Sequence, residues 1–196
     1  PSFEGGAYNT DWSTETNDPM GISFGIDNPY AICGTWYGYH KAASNSALYY
    51  ATVYQNVTTT PGTSFTLIAY GGTHDPLQDQ QFKLQFFNAS NVLLSGGMSL
   101  QVDTDVDVAP MTLGLYTLTG TAPAGTAYVR VSMFTQGEYT GENTNFKYDA
   151  MCLTASAPPA CTTPSAITFT QTAPTCTGAV ANNNGTISLS AATNGT

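Results

Sequence analysis

The feature that most constrains the fold is a regular succession of short apolar segments separated by turn residues. These segments cover residues 47–57, 64–70, 82–87, 92–95, 113–119, 127–134 and 146–153. They are rich in Val, Tyr, Phe and Thr, and Gly, Pro and Asn cluster between them, which is typical of β-strands. No segment has an apolar period of 3.6 residues, so we expect few helices. The pattern predicts an all-β chain folded as an antiparallel two-sheet β-sandwich.

Composition narrows the range of partners. With 196 residues, of which 41% are hydrophobic, the chain can bury a sizeable core. Four basic residues against 13 acidic ones give a net charge of -9, which argues against nucleic acid or an anionic membrane as partner. No apolar run approaches the length of a membrane span, so membrane insertion is not expected. Since the chain starts at Pro1 without Met or a signal peptide, we expect a processed product or an excised fragment.

The distribution of charge divides the chain. After Asp149 the sequence contains no Asp, Glu, Lys or Arg. Residues 155–165 have the composition of a Pro/Ser/Thr linker, so we expect a first domain over residues 1–154. Residues 166–196, about 31 in number, are too few for an independent sandwich. We expect an incomplete β segment there, whose strand edges are available to a neighbouring chain for self-association.

The four cysteines predict disulfides rather than a zinc site, because they form no CxxC pair. We predict that Cys161 pairs with Cys176, since both lie in the uncharged segment. The remaining bridge would join Cys33 to Cys152. By alternation, Cys152 should lie on the sheet face opposite Asp149, where the long segment carrying Cys33 could reach it.

The final strand contains one carboxylate among apolar residues. By alternation Asp149 shares a face with Met151 and Leu153, which should be buried. A buried carboxylate needs an ion partner, hydrogen bonds or a metal. The other acid in an apolar setting is Glu4. We therefore expect Glu4 and Asp149 to meet.

A dense aromatic cluster, residues 34–40, has two interpretations. Its rings could plug one side of the core, or they could form a stacking platform for a sugar ring. In the second case Trp36, Tyr37 and Tyr39 supply the apolar surface, and Glu138 and Tyr139 from a later loop supply polar contacts. The site prediction for carbohydrate is these five residues.

Long loops at residues 71–81, 96–112 and 135–145 should share one end of the sandwich, where recognition often occurs. Within them, residues 102–108 alternate strictly and place three aspartates on one face. This pattern indicates a solvated edge or, alternatively, a second cation site. No GxSxG, HExxH, P-loop or GxGxxG motif is present in a suitable setting. We therefore predict that the chain is not an enzyme.

Several segments together resemble a known family. They are PSFE, YQNV before TTTPGTSFTLIAY, FKLQFFNASNVLL, TAPAGTAYVRVSM and FKYDAMCL. In order and spacing they resemble carbohydrate-binding modules of the galactose-binding-like jelly-roll type, over residues 1–154. The resemblance implies a two-sheet jelly roll with a structural calcium ion held by Glu4 and Asp149. Residues 167–189 resemble the start of the immunoglobulin-like repeats of bacterial gliding and surface adhesins.

Two functions follow from these observations. The first is a noncatalytic module that binds a polysaccharide or other glycan, in a secreted or cell-surface bacterial protein. The alternative is a structural adhesin or filament subunit whose C-terminal strands pair with a neighbouring chain. Either function implies an extracellular or cell-surface location.

Overall fold

The structure, a computed structural model, describes residues 12–17, 22–42, 49–74, 79–137 and 145–157, together with four short strands between residues 169 and 189. Every regular element among these residues is a β-strand. The strands are β1 (Ser13–Thr16), β2 (Ile22–Asp27), β3 (Tyr37–Ala42), β4 (Tyr49–Thr58), β5 (Ser64–Thr73), β6 (Asp79–Phe87), β7 (Met98–Gln101), β8 (Gly114–Thr121), β9 (Tyr128–Gly137), β10 (Asn145–Ser156), β11 (Phe169–Thr172), β12 (Cys176–Thr177), β13 (Val180–Ala181) and β14 (Thr186–Leu189). A search of the described residues finds no helix able to span a membrane.

Ten of these strands form two five-stranded antiparallel sheets. The front sheet has the order β1-β4-β9-β6-β7, and the back sheet has the order β2-β3-β10-β5-β8. From β3 to β10 successive strands alternate between the sheets except at β6 and β7, which are neighbours in the front sheet. This is the strand order of a jelly roll. The predicted all-β, two-sheet sandwich is confirmed.

The core lies between the two sheets. Phe82, Leu84 and Phe86 alternate along β6 and are fully buried. The Phe82 ring meets the Phe146 ring of the back sheet with centroids 5.3 Å apart. Aromatic pairs of this kind contribute stability beyond the area that they bury.

A buried histidine joins the sheets. On β3 of the back sheet, His40 places Nε2 2.6 Å from Oγ1 of Thr135, which belongs to β9 of the front sheet. Its Nδ1 lies 3.3 Å from the Tyr148 hydroxyl. Burial lowers the pKa of His40 to about 3. The imidazole is therefore neutral at pH 7, and one ring nitrogen donates while the other accepts.

Strands β1 to β3 lie between residues 13 and 42, a stretch for which the sequence predicts no strand. Glycines obscure the strand pattern here, but one of them has a packing role. A Cβ at Gly25 would stand 2.6 Å from the Tyr39 hydroxyl oxygen, so the Tyr39 ring lies over the bare glycine of the neighbouring strand. Residues 92–95 were also predicted as a strand. Only an isolated bridge between Leu93 and Phe87 forms there, and the strand begins later, at Met98.

A β-bulge interrupts β10 against β5. Asp149 pairs with Tyr70, whereas Cys152 pairs with Ile68, so β10 contains one extra residue between the two pairs. Ala150 has φ 48, in the left-handed region. An extra residue of this kind shifts the alternation of side chains by one position.

The bulge overturns two expectations about faces. Asp149 and Cys152 both project from the outer side of the back sheet, whereas Met151 and Leu153 pack against the core. The alternation rule was wrong here because it assumes an unbroken strand. The predicted bridge between Cys33 and Cys152 is also wrong, since both cysteines are free and exposed. Cys161 lies outside the described residues, so its pairing with Cys176 stays a prediction.

The three aspartates of residues 102–108 lie outside any regular strand. The segment is a loop in which Asp103 accepts a hydrogen bond from the Tyr116 hydroxyl at 3.0 Å. Asp105 accepts from the backbone N–H of Asp107 at 2.8 Å. Asp107 lies 2.6 Å from Nδ1 of His74. Each carboxylate thus has a separate partner, and the strict alternation did not indicate a strand.

The chain divides into two compact units, Pro1–Pro158 and Pro159–Thr196. The first unit contains both five-stranded sheets. In the second unit β11 pairs with β14 and β12 pairs with β13, both antiparallel.

Candidate functional site

The outer face of the front sheet carries several aromatic side chains and two of the four Lys and Arg residues of the chain. Because core residues alternate along β4, β6 and β9, the intervening side chains point away from the core. We call this set the cation–aromatic face, and it consists of Tyr54, Asn56, Lys83, Gln85, Phe87, Tyr128, Arg130 and Phe134. Each of these residues keeps part of its surface exposed to solvent.

Arg130 lies at the centre of this face and is held by three neighbours. Its guanidinium carbon is 4.0 Å from the Tyr54 ring centroid and 4.9 Å from the Phe87 ring centroid. Its Nε donates a hydrogen bond to Oδ1 of Asn56 at 2.9 Å. Stacking on aromatic rings and a directed hydrogen bond fix the orientation of the planar guanidinium group.

Lys83 forms a second cation–π contact on the same face. Its Nζ lies 3.1 Å from the Phe134 ring centroid. Burial lowers the pKa of Lys83, and the Asp79 carboxylate acts in the opposite direction. On the other side of Arg130, the Phe87 and Tyr128 rings stack with centroids 5.2 Å apart. Several rings on this face are therefore held in fixed orientations.

This arrangement can bind a ligand that has both apolar and hydroxyl surfaces. The aromatic edges and faces suit the C–H face of a sugar, and the amides of Asn56 and Gln85 provide donors and acceptors for hydroxyl groups. Ser132 is a small residue in register between Tyr54 and Lys83. Ser132 is only 1% exposed, so the larger side chains around it cover this position.

Sequence reasoning did not identify this face, although a usable signal was present. The chain contains only four Lys and Arg residues. Two of them, Lys83 and Arg130, occupy polar positions in strands whose other positions alternate as buried apolar residues. A charge in the outward position of a central strand indicates a sheet face that is not packed against another layer.

The structure separates the residues of the predicted aromatic platform. Trp36 is partly buried and packs against the core. Tyr37 and Tyr39 lie on the outer side of the back sheet, with Tyr37 only 2% exposed. Glu138 and Tyr139 lie outside the described residues. The three described aromatic residues thus do not form one exposed surface, and their role in sugar binding stays a prediction.

A second polar cluster covers the outer side of the back sheet. The Tyr30 ring contacts the Tyr37 ring at 5.8 Å and the His74 ring at 6.2 Å. Below it, Lys147 is 1% exposed, and its Nζ has no hydrogen-bond acceptor among the described residues. Burial lowers the pKa of Lys147 to about 7, opposed by nearby carboxylates including Asp107. This lysine is enclosed rather than presented to a ligand.

Asp149 satisfies its charge with backbone hydrogen bonds. Its Oδ2 accepts from the N–H of Ile32 at 2.7 Å and from the N–H of Cys33 at 3.0 Å. Within the described ranges no group of three or more His, Cys, Asp or Glu side chains could hold a metal ion. Glu4, the predicted second ligand, lies outside those ranges. The described donors therefore fit a hydrogen-bonded carboxylate and do not by themselves make a calcium site.

Comparison with known proteins gives similarity in structure alone. No family model matches the sequence, and no curated protein matches it. The enzymatically active domain of bacteriophage CBA120 tailspike protein 4 is similar with a TM-score of 0.59 and 11% identity, over 79% of this chain and 20% of that one. TmCBM61 in complex with β-1,4-galactotriose gives a TM-score of 0.53 and 13% identity, over 80% of this chain and 95% of that one. The CBM22-1 xylan-binding domain of Paenibacillus barcinonensis Xyn10C gives a TM-score of 0.51 and 14% identity, over 81% of this chain and 93% of that one.

The fold is that of β-sandwich carbohydrate-binding modules. This chain spans a fifth of the length of the tailspike chain, but nearly the full length of the two binding modules. The similarity shows a shared jelly-roll fold and says nothing about the ligand, because sequence identity stays below 25% in each case.

Proposed function

We propose that this chain is a noncatalytic glycan-binding module and that it binds through the cation–aromatic face. One observation carries the proposal: Arg130 is fixed between the rings of Tyr54 and Phe87 on a solvent-exposed sheet surface. The similarity to carbohydrate-binding modules supports the same class of function.

The geometry favours an extended saccharide over a single sugar. The face runs across β4, β9 and β6, with Tyr54 and Phe87 on the two flanking strands. Rings held in place before binding lose little conformational freedom when a ligand arrives, which favours affinity. Because polysaccharides of this kind are found outside cells, an extracellular or cell-surface location is part of the proposal.

Alanine variants of two aromatic residues of the face test the proposal. Tyr54→Ala and Phe134→Ala remove apolar surface and release Arg130 or Lys83 from its ring. Affinity would be measured by gel electrophoresis with embedded polysaccharides and by calorimetry on any polysaccharide that binds. We expect each variant to weaken binding by about tenfold or more, while the melting temperature changes little because both rings are partly exposed.

Tyr39→Ala on the back sheet is the matched control, and it also tests the site predicted from sequence. We expect this variant to bind like the parent protein. Loss of binding in Tyr39→Ala with normal binding in Tyr54→Ala would move the site to the aromatic cluster. Failure to bind any member of a broad glycan array would contradict the proposed function itself.

A structural role as an adhesin or filament subunit is the second candidate. Among the described residues of the second unit, each sheet contains only two strands, so each strand has an edge without a neighbour. Such edges accept an added strand from another chain. Light scattering of the full chain over a wide concentration range tests this role. A mass that rises with concentration supports it, and a constant monomer mass contradicts it.

A further inference from the structure

The cation–aromatic face holds half of the positive charges of an acidic protein. The chain has four Lys and Arg residues against 13 acidic ones. Lys83 lies beside Ser132, which is two residues from Arg130 along β9. The two cations are therefore diagonal neighbours on adjacent strands, about 7–8 Å apart at the backbone.

Among the described residues, no carboxylate forms an ion pair with Lys83 or Arg130. Across the described part of the chain, the one ion pair joins His74 to Asp107, on the other side of the molecule. Asp79 influences Lys83 at a distance but does not form an ion pair with it. Both cations are thus available to a ligand.

Arg130 also retains unused hydrogen-bond donors. Its Nε donates to Asn56, and its plane stacks on Tyr54 and Phe87. Among the described residues, no acceptor engages its two Nη groups. A fixed guanidinium plane with a free donor edge matches the two oxygens of a carboxylate, which it can bind through two parallel hydrogen bonds.

We propose, building on the function proposed above, that the face prefers saccharides bearing a uronic acid, and that Arg130 binds the uronate carboxylate. The net charge of the protein also limits how many uronic acid groups the preferred polymer can carry. A net charge of -9 repels a polymer that carries a negative charge on every sugar. The expected ligand is a largely neutral polysaccharide with occasional uronic acid residues, in which one carboxylate meets Arg130 and neutral sugars contact the neighbouring rings.

A matched pair of polymers tests the inference. The probes are a glucuronic-acid-substituted xylan and the same preparation after chemical reduction of its carboxyl groups to hydroxymethyl groups, so that charge alone differs. A charged hydrogen-bonded contact leads us to expect that the parent protein binds the acidic polymer about ten to a hundred times more tightly in low salt. Sodium chloride should reduce this ratio, since it screens the exposed cations.

Variants assign the preference to Arg130. Arg130→Gln should reduce the ratio of the two affinities to near one, and Arg130→Lys should give an intermediate ratio because it keeps the charge but loses the fork. Lys41→Gln, which makes the same charge change on the back sheet, should keep the parent ratio. Thermal melting of each variant verifies that the fold is intact.

Equal affinity of the parent protein for both polymers would overturn the inference while leaving the proposed glycan binding in place. An unchanged ratio in Arg130→Gln would also overturn it. A sulfated xylan serves as a third probe: preference for sulfate over carboxylate would assign the cations to another anion and reject the uronate. Binding of neither xylan, with binding of other neutral glycans on an array, would equally reject it.

Discussion

The buried histidine leads to a prediction about stability in acid. His40 is 1% exposed and contacts three aromatic rings, those of Phe24, Phe146 and Tyr148. Burial lowers its pKa to about 3, whereas an unfolded histidine has a pKa of about 6.5. Between these two values the unfolded chain binds a proton that the folded protein excludes. Stability from His40 is therefore complete above pH 6.5 and is lost as the pH falls towards 3.

The magnitude follows from the width of this window. Each pH unit inside it costs about 1.4 kcal/mol of unfolding free energy. Lowering the pH from 7.5 to 4.5 crosses about two units of the window, so His40 should remove about 2–3 kcal/mol. For a domain whose total stability is on the order of 5–15 kcal/mol, this is a large fraction.

The assay is urea unfolding of the parent protein and of His40→Gln at both pH values. Glutamine does not titrate, and its amide can still donate to Thr135, so the variant isolates the proton effect from the many carboxylates that both proteins share. The parent should lose about 2–3 kcal/mol more than His40→Gln. Parallel losses in parent and His40→Gln would refute the reasoning.

Four further predictions concern stability, a metal ion and thiol reactivity. Lys147→Met should raise the unfolding free energy at pH 7 by about 1–4 kcal/mol. It should also flatten the pH dependence of stability between pH 7 and 10, because the lysine pKa is lowered to about 7 and the parent therefore loses stability as the pH falls through this window. Urea unfolding at several pH values checks both effects, and a destabilised variant would contradict them. Asp149→Ala should lower the unfolding free energy by about 1–3 kcal/mol, because it leaves two backbone amides without an acceptor. Urea unfolding measures this loss, and Asp149→Asn is the control that keeps one acceptor oxygen. We also propose that Glu4 and Asp149 share a calcium ion, in which case a chelator should lower the melting temperature, whereas identical melting curves would reject the ion. Cys33 and Cys152 should both react with a thiol reagent in the native protein, since both are free and exposed; protection of either thiol would count against the structure around β10.

The local alternation of apolar and polar residues was sufficient to predict most strands of the sandwich. The strands β4, β5, β6, β9 and β10 fall close to the predicted segments because each alternates apolar and polar residues over most of its length. Alternation is a local property, set by the geometry of an extended chain on a core. The all-β class and the two-sheet architecture follow from it.

Tertiary structure decided where alternation breaks. Because of the bulge at Ala150, Asp149 lies on the outer side of the back sheet while Met151 packs against the core. No local sequence pattern predicts the extra residue. The N-H groups that stabilise its carboxylate come from Ile32 and Cys33, more than a hundred positions away. Such partners meet only through the fold.

The candidate site depends on the same distinction. From the sequence alone, the outward positions of Lys83 and Arg130 could be predicted, strand by strand. That the two cations are neighbours depends on β9 lying between β4 and β6, and this order comes from the jelly-roll topology. Tyr54 and Phe87 then reach Arg130 from the two flanking strands. The sequence determines which side chains leave the core, whereas the order of strands in the sheet determines which of them meet, because that order depends on long-range pairing of segments far apart in the chain.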